Sequence, residues 1–191
     1  LSIPARVVAA DKAAGPALVD VTRSAASGAW SQPATWVGGN VPGAGARVLI
    51  QTGHRVVYDV QSDAVLRAMR IAGTLAFAPD RDTRLNIGLI KIELGDDVSE
   101  DGFDCDDHAA ESGDASKPAA RPALLVGTPE RPIDAGKTAL IRLVHQAGMD
   151  PNSSPAIVCC GGRMEFHGAP LSHSWVKLGA TSKPGDAVVT L

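Results

Sequence analysis

The chain has 191 residues, of which 45% are hydrophobic and 4% aromatic, and its formal net charge is −3. This length suits one domain with a sizeable core. A weakly acidic chain has no broad positive field to attract nucleic acid or an anionic membrane, and the sequence has no run of about 18 apolar residues that could span a bilayer. We therefore expect no nucleic-acid partner and no membrane span.

Residues 1–27 predict an arm at the start of the chain, in which apolar residues alternate weakly around Gly15 and Pro16. Such an arm, or cap strands within it, would cover the first edge of a sheet, where unpaired backbone groups need protection. The chain starts without Met and without the layout of a signal peptide, so we expect it to be trimmed or processed there. Residues 28–191 are assigned to one β domain.

Trp30 and Trp36 flank Pro33 in a turn or extended segment. Two interpretations are open for these tryptophans. Their rings could seal the end of the core, or their flat apolar faces could stack on a sugar ring and so bind carbohydrate. We favour the structural role and keep sugar binding as the alternative.

Four short apolar segments follow at residues 47–50, 55–58, 66–71 and 74–77. Their length, their β-branched content and the glycines between them are typical of strands. The units Gly-x-Leu-x-Phe and Gly-Arg-Met-x-Phe, which begin at Gly73 and Gly162, favour stacked turns of a β-solenoid. The sequence thus predicts an all-β fold with few or no helices.

The same signals predict further strands at residues 85–93, 123–126, 138–144, 156–160 and 163–168. His167 lies at the end of one of them, where it could act as a general base or a ligand, although a histidine that holds a turn carbonyl is commoner. A last strand pair is expected around Trp175, with Lys177 on its other face. Residues 185–191 resemble a strand that is cut short, so we expect the full protein to continue beyond residue 191.

Residues 95–122 form a long segment without strand signals, and such segments are usually functional or disordered. Its first half is rich in carboxylates, and its second half has the composition of a flexible linker. Asp104, Asp106 and Asp107 could converge on a calcium ion, although their spacing is not that of an EF-hand. Asp106, Asp107 and His108 could instead supply catalytic acids for glycoside hydrolysis. The third interpretation is a solvated acidic loop or a docking surface for another part of the protein.

Three cysteines, Cys105, Cys159 and Cys160, leave at least one unpaired thiol within this sequence. Adjacent residues of a strand point to opposite faces, so only one of Cys159 and Cys160 can lie in the core. We expect one buried thiol, with Cys105 either bridged to the other or free. The scattered histidines and the lack of a Cys-x-x-Cys pair argue against zinc.

The sequence resembles the eight-glycine (G8) domain family, as found in fibrocystin-like receptors and the cell-migration-inducing hyaluronidase. The resemblance rests on the motifs Trp30-Ser31-x-Pro33-x-Thr35-Trp36-x-Gly38-Gly39-x-Val41-Pro42, Val48-x-Ile50-x-x-Gly53, Gly73-x-Leu75-x-Phe77, Gly127-Thr128-Pro129 and Gly161-Gly162-x-Met164-x-Phe166-His167-Gly168. It implies a right-handed parallel β-helix, of which this chain supplies N-terminal rungs with a cap. It also makes residues 95–122 an insertion, because the family usually joins these strands by a tight turn.

The resemblance implies a secreted or extracellular protein, with the periplasm or cell surface as further options. One expected function is that of a polysaccharide-active protein, hyaluronidase-like or otherwise glycan-depolymerising, with a hydrolase or lyase site shared with the C-terminal remainder of the protein. However, Ile87 and Gly88 stand where hyaluronidase-like relatives carry a Thr-Arg pair, which argues against hyaluronan cleavage. The alternative is a non-catalytic extracellular module that binds carbohydrate or supports an activity located elsewhere.

Overall fold

The computed structural model describes residues 21–100, 121–173 and 175–190. Within these ranges the chain forms eleven strands and two short 3-10 helices, Pro33–Thr35 and Val37–Gly39. The strands are β1 (Val21–Arg23), β2 (Gly28–Ala29), β3 (Arg47–Ile50), β4 (Arg55–Tyr58), β5 (Gln61–Ile71), β6 (Thr74–Phe77), β7 (Thr83–Ile92), β8 (Ala123–Val126), β9 (Ala139–Leu143), β10 (Ala156–Cys159) and β11 (Arg163–Phe166). The expected all-β class is confirmed.

These strands form two sheets in which neighbouring strands are parallel. The first sheet has the order β1-β3-β5-β7-β10, with β9 also paired to β7, and the second has the order β2-β4-β6-β8-β11. From β1 to β9 the chain crosses to the opposite sheet after every strand, and from β3 to β9 each strand lies beside the one two positions earlier. Short strands closed by turns suit this path, because each strand needs only a few residues before the chain leaves its sheet.

The register stacks apolar residues of successive strands into columns that face the space between the sheets. We call these the inner columns: Val48, Met69, Ile90 and Ile157; Ile50, Ile71, Ile92 and Cys159; and Val56, Leu75, Leu124 and Met164. The members from β3 to β8 are at most 1% exposed and belong to one large core cluster. Burial of these columns therefore contributes to the apolar stabilisation of the fold.

The outer face of the first sheet has a smaller core of its own. Leu49 of β3, Ala68 of β5 and Leu89 of β7 belong to this core, and Val98 and Met149 pack on them from two covering loops. The first loop follows β7 and the second precedes β10. The first sheet is therefore covered on both faces, which suits strands with long apolar runs.

Two sequence expectations are wrong in the C-terminal part. No strand forms in the described residues after Phe166, whereas strands were predicted around Trp175 and over residues 185–191. Trp175 is 71% exposed instead of packed on one face. Nearer the start, β1 pairs with β3 and so ends the arm as a strand of the first sheet, while residues 1–20 lie outside the described ranges.

Candidate functional site

Trp30 and Trp36 close the β2 end of the inner core. They are 3% and 2% exposed, and their ring centroids lie 4.7 Å apart in an edge-to-face arrangement. The Trp36 indole N–H donates a hydrogen bond to the Trp30 carbonyl oxygen at 2.8 Å, and the Trp30 ring lies 5.0 Å from that of Tyr58. Rings covered in this way offer no free face to a sugar, so in this structure the two tryptophans are core residues.

The backbone after Trp36 turns sharply to allow this packing. Gly38 and Gly39 have φ values of 74° and 73°, in the left-handed region that side chains with a β-carbon disfavour. The Thr35 hydroxyl donates to the Ala29 carbonyl oxygen at 2.8 Å and so ties the first 3-10 helix to β2. These residues therefore act together as one structural unit. We call it the tryptophan cap, and it consists of Trp30, Thr35, Trp36, Gly38 and Gly39.

A small cleft of about 230 Å³ lies beside the cap and is lined by residues that include Trp30, Pro42, Tyr58 and Gln61. This volume is below the roughly 300 Å³ at which ligand pockets usually begin. The Tyr58 hydroxyl is not available to a ligand, because it donates to the Arg84 carbonyl oxygen at 2.7 Å. Burial, aided by the nearby Asp59 carboxylate, raises the pKa of Tyr58 well above its ordinary value of 10.0. No described side chain that lines the cleft is therefore free to act as an acid or a base.

The start of the expected insertion folds over the outer face of the first sheet. The Arg67 guanidinium donates to both carboxylate oxygens of Glu100, at 2.8 and 2.7 Å, and Arg47 pairs with the same carboxylate. Arg67 also donates to the Ala147 carbonyl oxygen at 2.7 Å, so it joins both covering loops. We call this group the Glu100 clamp. Burial alone would raise the pKa of Glu100, but the two arginines outweigh it and hold the pKa below its ordinary value.

A second ion pair lies deeper on the same face. Arg70 donates to Glu93 at 2.6 Å, with 8% and 6% of the two side chains exposed. Gly95 has a φ of 111°, in a region that favours glycine, and lies so close to the Arg70 guanidinium that a β-carbon there would displace the end of that side chain. In both the Glu100 clamp and the Arg70–Glu93 pair, each carboxylate is paired with arginine side chains of the same fold. We therefore assign these ion pairs a structural role.

The structure describes only some of the sequence-predicted site residues. Asp104, Cys105, Asp106, Asp107 and His108 lie outside the described ranges, so the calcium site and the catalytic acids remain predictions. Among the residues that are described, no group of three or more His, Cys, Asp or Glu side chains could hold a metal ion.

His167 lies just after β11 and contributes mainly through its backbone. Its amide donates to the Val126 carbonyl oxygen, and its carbonyl oxygen accepts from the Ile133 amide, both at 2.8 Å. Its Nε2 lies 3.9 Å from Glu165, which also pairs with Arg163. The structure therefore brings His167 to a turn on the surface and shows no further acid or nucleophile paired with it in the described residues.

The two adjacent cysteines differ in their oxidation state, and only Cys159 belongs to a strand, β10. Cys160 is disulfide-bonded and 7% exposed, whereas Cys159 is a free thiol that packs partly buried against the inner core. Gly88 is one of the two positions at which the resemblance leads us to expect a Thr-Arg pair, and it is tightly packed. A β-carbon on Gly88 would lie 2.5 Å from the Met149 methyl carbon and 2.7 Å from the Arg67 carbonyl oxygen, so no larger side chain fits there.

The uncovered end of the sheets is the strongest candidate for a functional surface. The inner columns end at β10 and β11, where Met164 is 43% exposed although Leu124 beside it is fully buried. Phe166, paired with the 7% exposed Val126, is 57% exposed. The chain that follows adds further exposed apolar side chains, namely Leu171, Trp175, Val176, Leu178, Val188 and Val189. Met164 and Phe166 are two positions apart on β11 and so lie on one face of that strand, and contiguous exposed apolar residues are typical of interaction surfaces.

The G8 domain family model matches residues 35–179, which is most of the chain. The chain belongs to the G8 domain family. This confirms the resemblance in the tryptophan and glycine motifs. The matched range contains most of the tryptophan cap, all strands from β3 to β11 and part of the apolar segment that follows β11.

Two curated relatives of this G8 domain are fibrocystins. It is 28% identical over 172 residues to fibrocystin of Mus musculus, covering 82% of this chain and 4% of the relative. It is 24% identical over 168 residues to fibrocystin-L of Homo sapiens, covering 85% of this chain and 3% of the relative. The chain thus spans a small fraction of the length of these relatives. No solved structure matches it significantly.

Sequence reasoning missed the Glu100 clamp. Its members are 33 and 53 residues apart, so no local motif could reveal them. The 21-residue period that brings Arg47, Ala68 and Leu89 into register aligns Arg47 with Ala68 rather than with Arg67, and adjacent residues of a regular strand point to opposite faces. The period was therefore not a signal for the clamp.

Proposed function

We propose that this G8 domain is a non-catalytic, extracellular structural module whose uncovered end docks onto the remainder of a larger protein. The observation that supports this most is the exposure of the last members of the inner columns. Met164 and Phe166 are the register partners of the buried Leu124 and Val126, yet none of the described residues covers them. One more pair of strands stacked on β10 and β11 would bury them and would pair the free edge of β11.

The proposal includes a right-handed parallel β-helix. From β1 to β9, each passage from one strand to the next strand of the same sheet, such as β3 through β4 to β5, is a crossover between parallel neighbours. Such crossovers are right-handed in about 98% of known cases, because right-twisted strands pack back onto their sheet only that way. A docked continuation would then extend the same helix by further rungs.

Extracellular location is proposed from the disulfide at Cys160, since disulfides persist in oxidising compartments. In the described residues, no helix is long and apolar enough to cross a bilayer. The two curated relatives are many times longer than this chain, which supports a role as one module of a larger assembly.

Hydrogen exchange tests the docking. In the chain of 191 residues, we expect the amides of β11 to exchange faster than those of β6 and β8, which have partners on both sides. In a longer form of the protein that continues past residue 191, the β11 amides should be protected to the level of β8. Equal exchange of β11 in the two forms would refute the proposal.

A polysaccharide assay separates this module from an enzyme. We expect no release of reducing ends or unsaturated products from a panel that includes hyaluronan and other acidic polysaccharides. Cleavage that disappears in Asp106→Asn would instead support the hydrolase or lyase. Intact mass with and without a chelator would show whether Asp104, Asp106 and Asp107 hold calcium, and a bound ion would favour the cation-site interpretation of that loop.

A further inference from the structure

The loop before β10 contains an acceptor motif for N-linked glycosylation. Asn152, Ser153 and Ser154 form the pattern Asn-x-Ser, in which the middle residue is not proline. The chain has two other asparagines, Asn40 and Asn86, and neither is followed two positions later by serine or threonine. The motif therefore occurs once in this sequence.

Asn152 lies at the exposed apex of an anchored turn. Met149 on one side is 4% exposed, and Ser153 and Ser154 on the other are each 6% exposed. The amides of both serines donate to the Asp150 carbonyl oxygen, at 3.1 and 2.9 Å. The turn is thus fixed by its own backbone, and a group attached to its apex would project into solvent.

The Asn152 side chain is held only locally. Its Nδ2 donates to the Asp150 carboxylate at 3.1 Å, and its backbone amide donates to the same oxygen at 2.9 Å. Asp150 would keep the second of these bonds if Nδ2 were substituted. A sugar on Nδ2 therefore costs at most one exposed hydrogen bond, which contributes little to stability.

The Ser154 hydroxyl supplies an independent observation. It is fully buried and has no hydrogen-bond partner. A buried hydroxyl without a partner destabilises a fold, so each such group in a native protein calls for an explanation. Alanine would fill this position without that cost. The motif explains the serine, because the acceptor pattern requires a hydroxyl at this position and the folded structure does not use it.

We propose that Asn152 is an N-glycosylation site, modified during passage of the chain through a eukaryotic secretory pathway. In the reaction, Nδ2 forms a bond to the anomeric carbon of a lipid-diphosphate-linked oligosaccharide and loses one proton. The bond from that carbon to the diphosphate oxygen breaks, and the lipid diphosphate leaves. The site rests on the extracellular location proposed above. Pro155 restricts Ser154 to extended backbone, so we expect glycosylated and unmodified chains side by side.

Expression with an unrelated secretion signal in mammalian cells tests the site. We expect peptide-N-glycosidase F to lower the mass of part of the wild-type chain and to convert Asn152 to Asp, as located by peptide mass spectrometry. Asn152→Gln and Ser154→Ala should lose the glycan completely. Ser153→Ala is the matched control, since it removes a neighbouring buried serine but preserves the motif, and it should keep the glycan.

Each outcome either supports or overturns the glycosylation of Asn152. A wild-type chain without glycan, whether secreted or retained in the cells, would overturn the proposal, as would a glycan that persists in Ser154→Ala. After deglycosylation, Ser154→Ala should melt no lower than the wild type, and a markedly lower melting temperature would refute the argument from its unpaired hydroxyl. None of these results depends on docking at β11, and failure of the docking test would leave the glycosylation result unaffected.

Discussion

The two ends of the stacked sheets are built from similar side chains but differ in what covers them. At the β2 end, Tyr58 and Val56 lie beneath the tryptophan cap and are at most 1% exposed. At the β11 end, Met164 and Phe166 occupy the corresponding positions of the last strand and are 43% and 57% exposed. The first end is closed by the tryptophan cap, whereas no described residue covers the second end.

This difference shows that burial in stacked sheets depends on the next turn rather than on the residue itself. Leu124 is fully buried because β11 and β6 lie on either side of it, whereas among the described strands Met164 has only β8 beside it. The same apolar residue therefore stabilises the fold in one strand and offers a binding surface in another.

Removing the cap should cause the largest loss of stability. Trp36→Ala deletes a 2% exposed ring and its hydrogen bond to Trp30, so we expect a loss of about 3–5 kcal/mol in the free energy of unfolding. Denaturant unfolding followed by circular dichroism measures this loss. A change below about 1 kcal/mol would mean that the β2 end is as open in solution as the β11 end.

Loss of the Glu100 clamp should cause the second largest loss of stability, because Arg67 joins the two covering loops through Glu100 and Ala147. Glu100→Gln keeps the shape but removes the charge from Arg47 and Arg67, so we expect a loss of about 1.5–3 kcal/mol near neutral pH. Asp63→Asn is the matched control, since Asp63 pairs with Arg84 on the surface with 89% of its side chain exposed, and such pairs contribute about 0–1 kcal/mol.

The clamp also predicts a pH dependence. Because the pKa of Glu100 is lower in the folded state than its ordinary value of 4.5, its contribution is complete above that value and is lost as the pH falls through the folded pKa. The stability difference between the wild type and Glu100→Gln should therefore shrink below pH 4.5, as measured by unfolding at several pH values. A constant difference across this range would refute the role assigned to the charge.

Tyr58 allows a direct optical test of the closed end, because it is the single tyrosine of the chain. Its pKa is raised by burial, so ultraviolet titration of the folded protein should show ionisation well above pH 10.0, with a return to the ordinary value in denaturant. Burial stabilises the fold below the unfolded pKa, and this contribution is lost as the pH rises towards the folded pKa. Tyr58→Phe should cost about 1 kcal/mol through the hydrogen bond to Arg84.

The strands between the tryptophan cap and β8 could largely be predicted from the sequence, whereas the structure after β11 could not. The strands at 47–50, 55–58, 74–77 and 123–126 were predicted with their observed bounds, because apolar segments between turn residues leave few alternatives. Trp175 was placed in a strand from the same kind of pattern, yet it is 71% exposed. Alternation shows that a segment can pair, and it does not show whether a partner strand is there. The Glu100 clamp depends on contacts across 33 residues or more, which local patterns do not encode.

Phe166 should have the smallest effect on stability and the largest on surface properties. Because its ring is 57% exposed, Phe166→Ala should change the free energy of unfolding by less than about 0.5 kcal/mol. Phe166→Glu should reduce the binding of a hydrophobic dye, while Val37→Glu, at a site that is 55% exposed beside the tryptophan cap, should leave it unchanged. If Phe166→Ala destabilised the chain as strongly as Trp36→Ala, the β11 end would already be covered in solution, either by residues of this chain or by a second copy. Analytical ultracentrifugation would separate these two cases, since only a second copy makes the apparent mass depend on protein concentration.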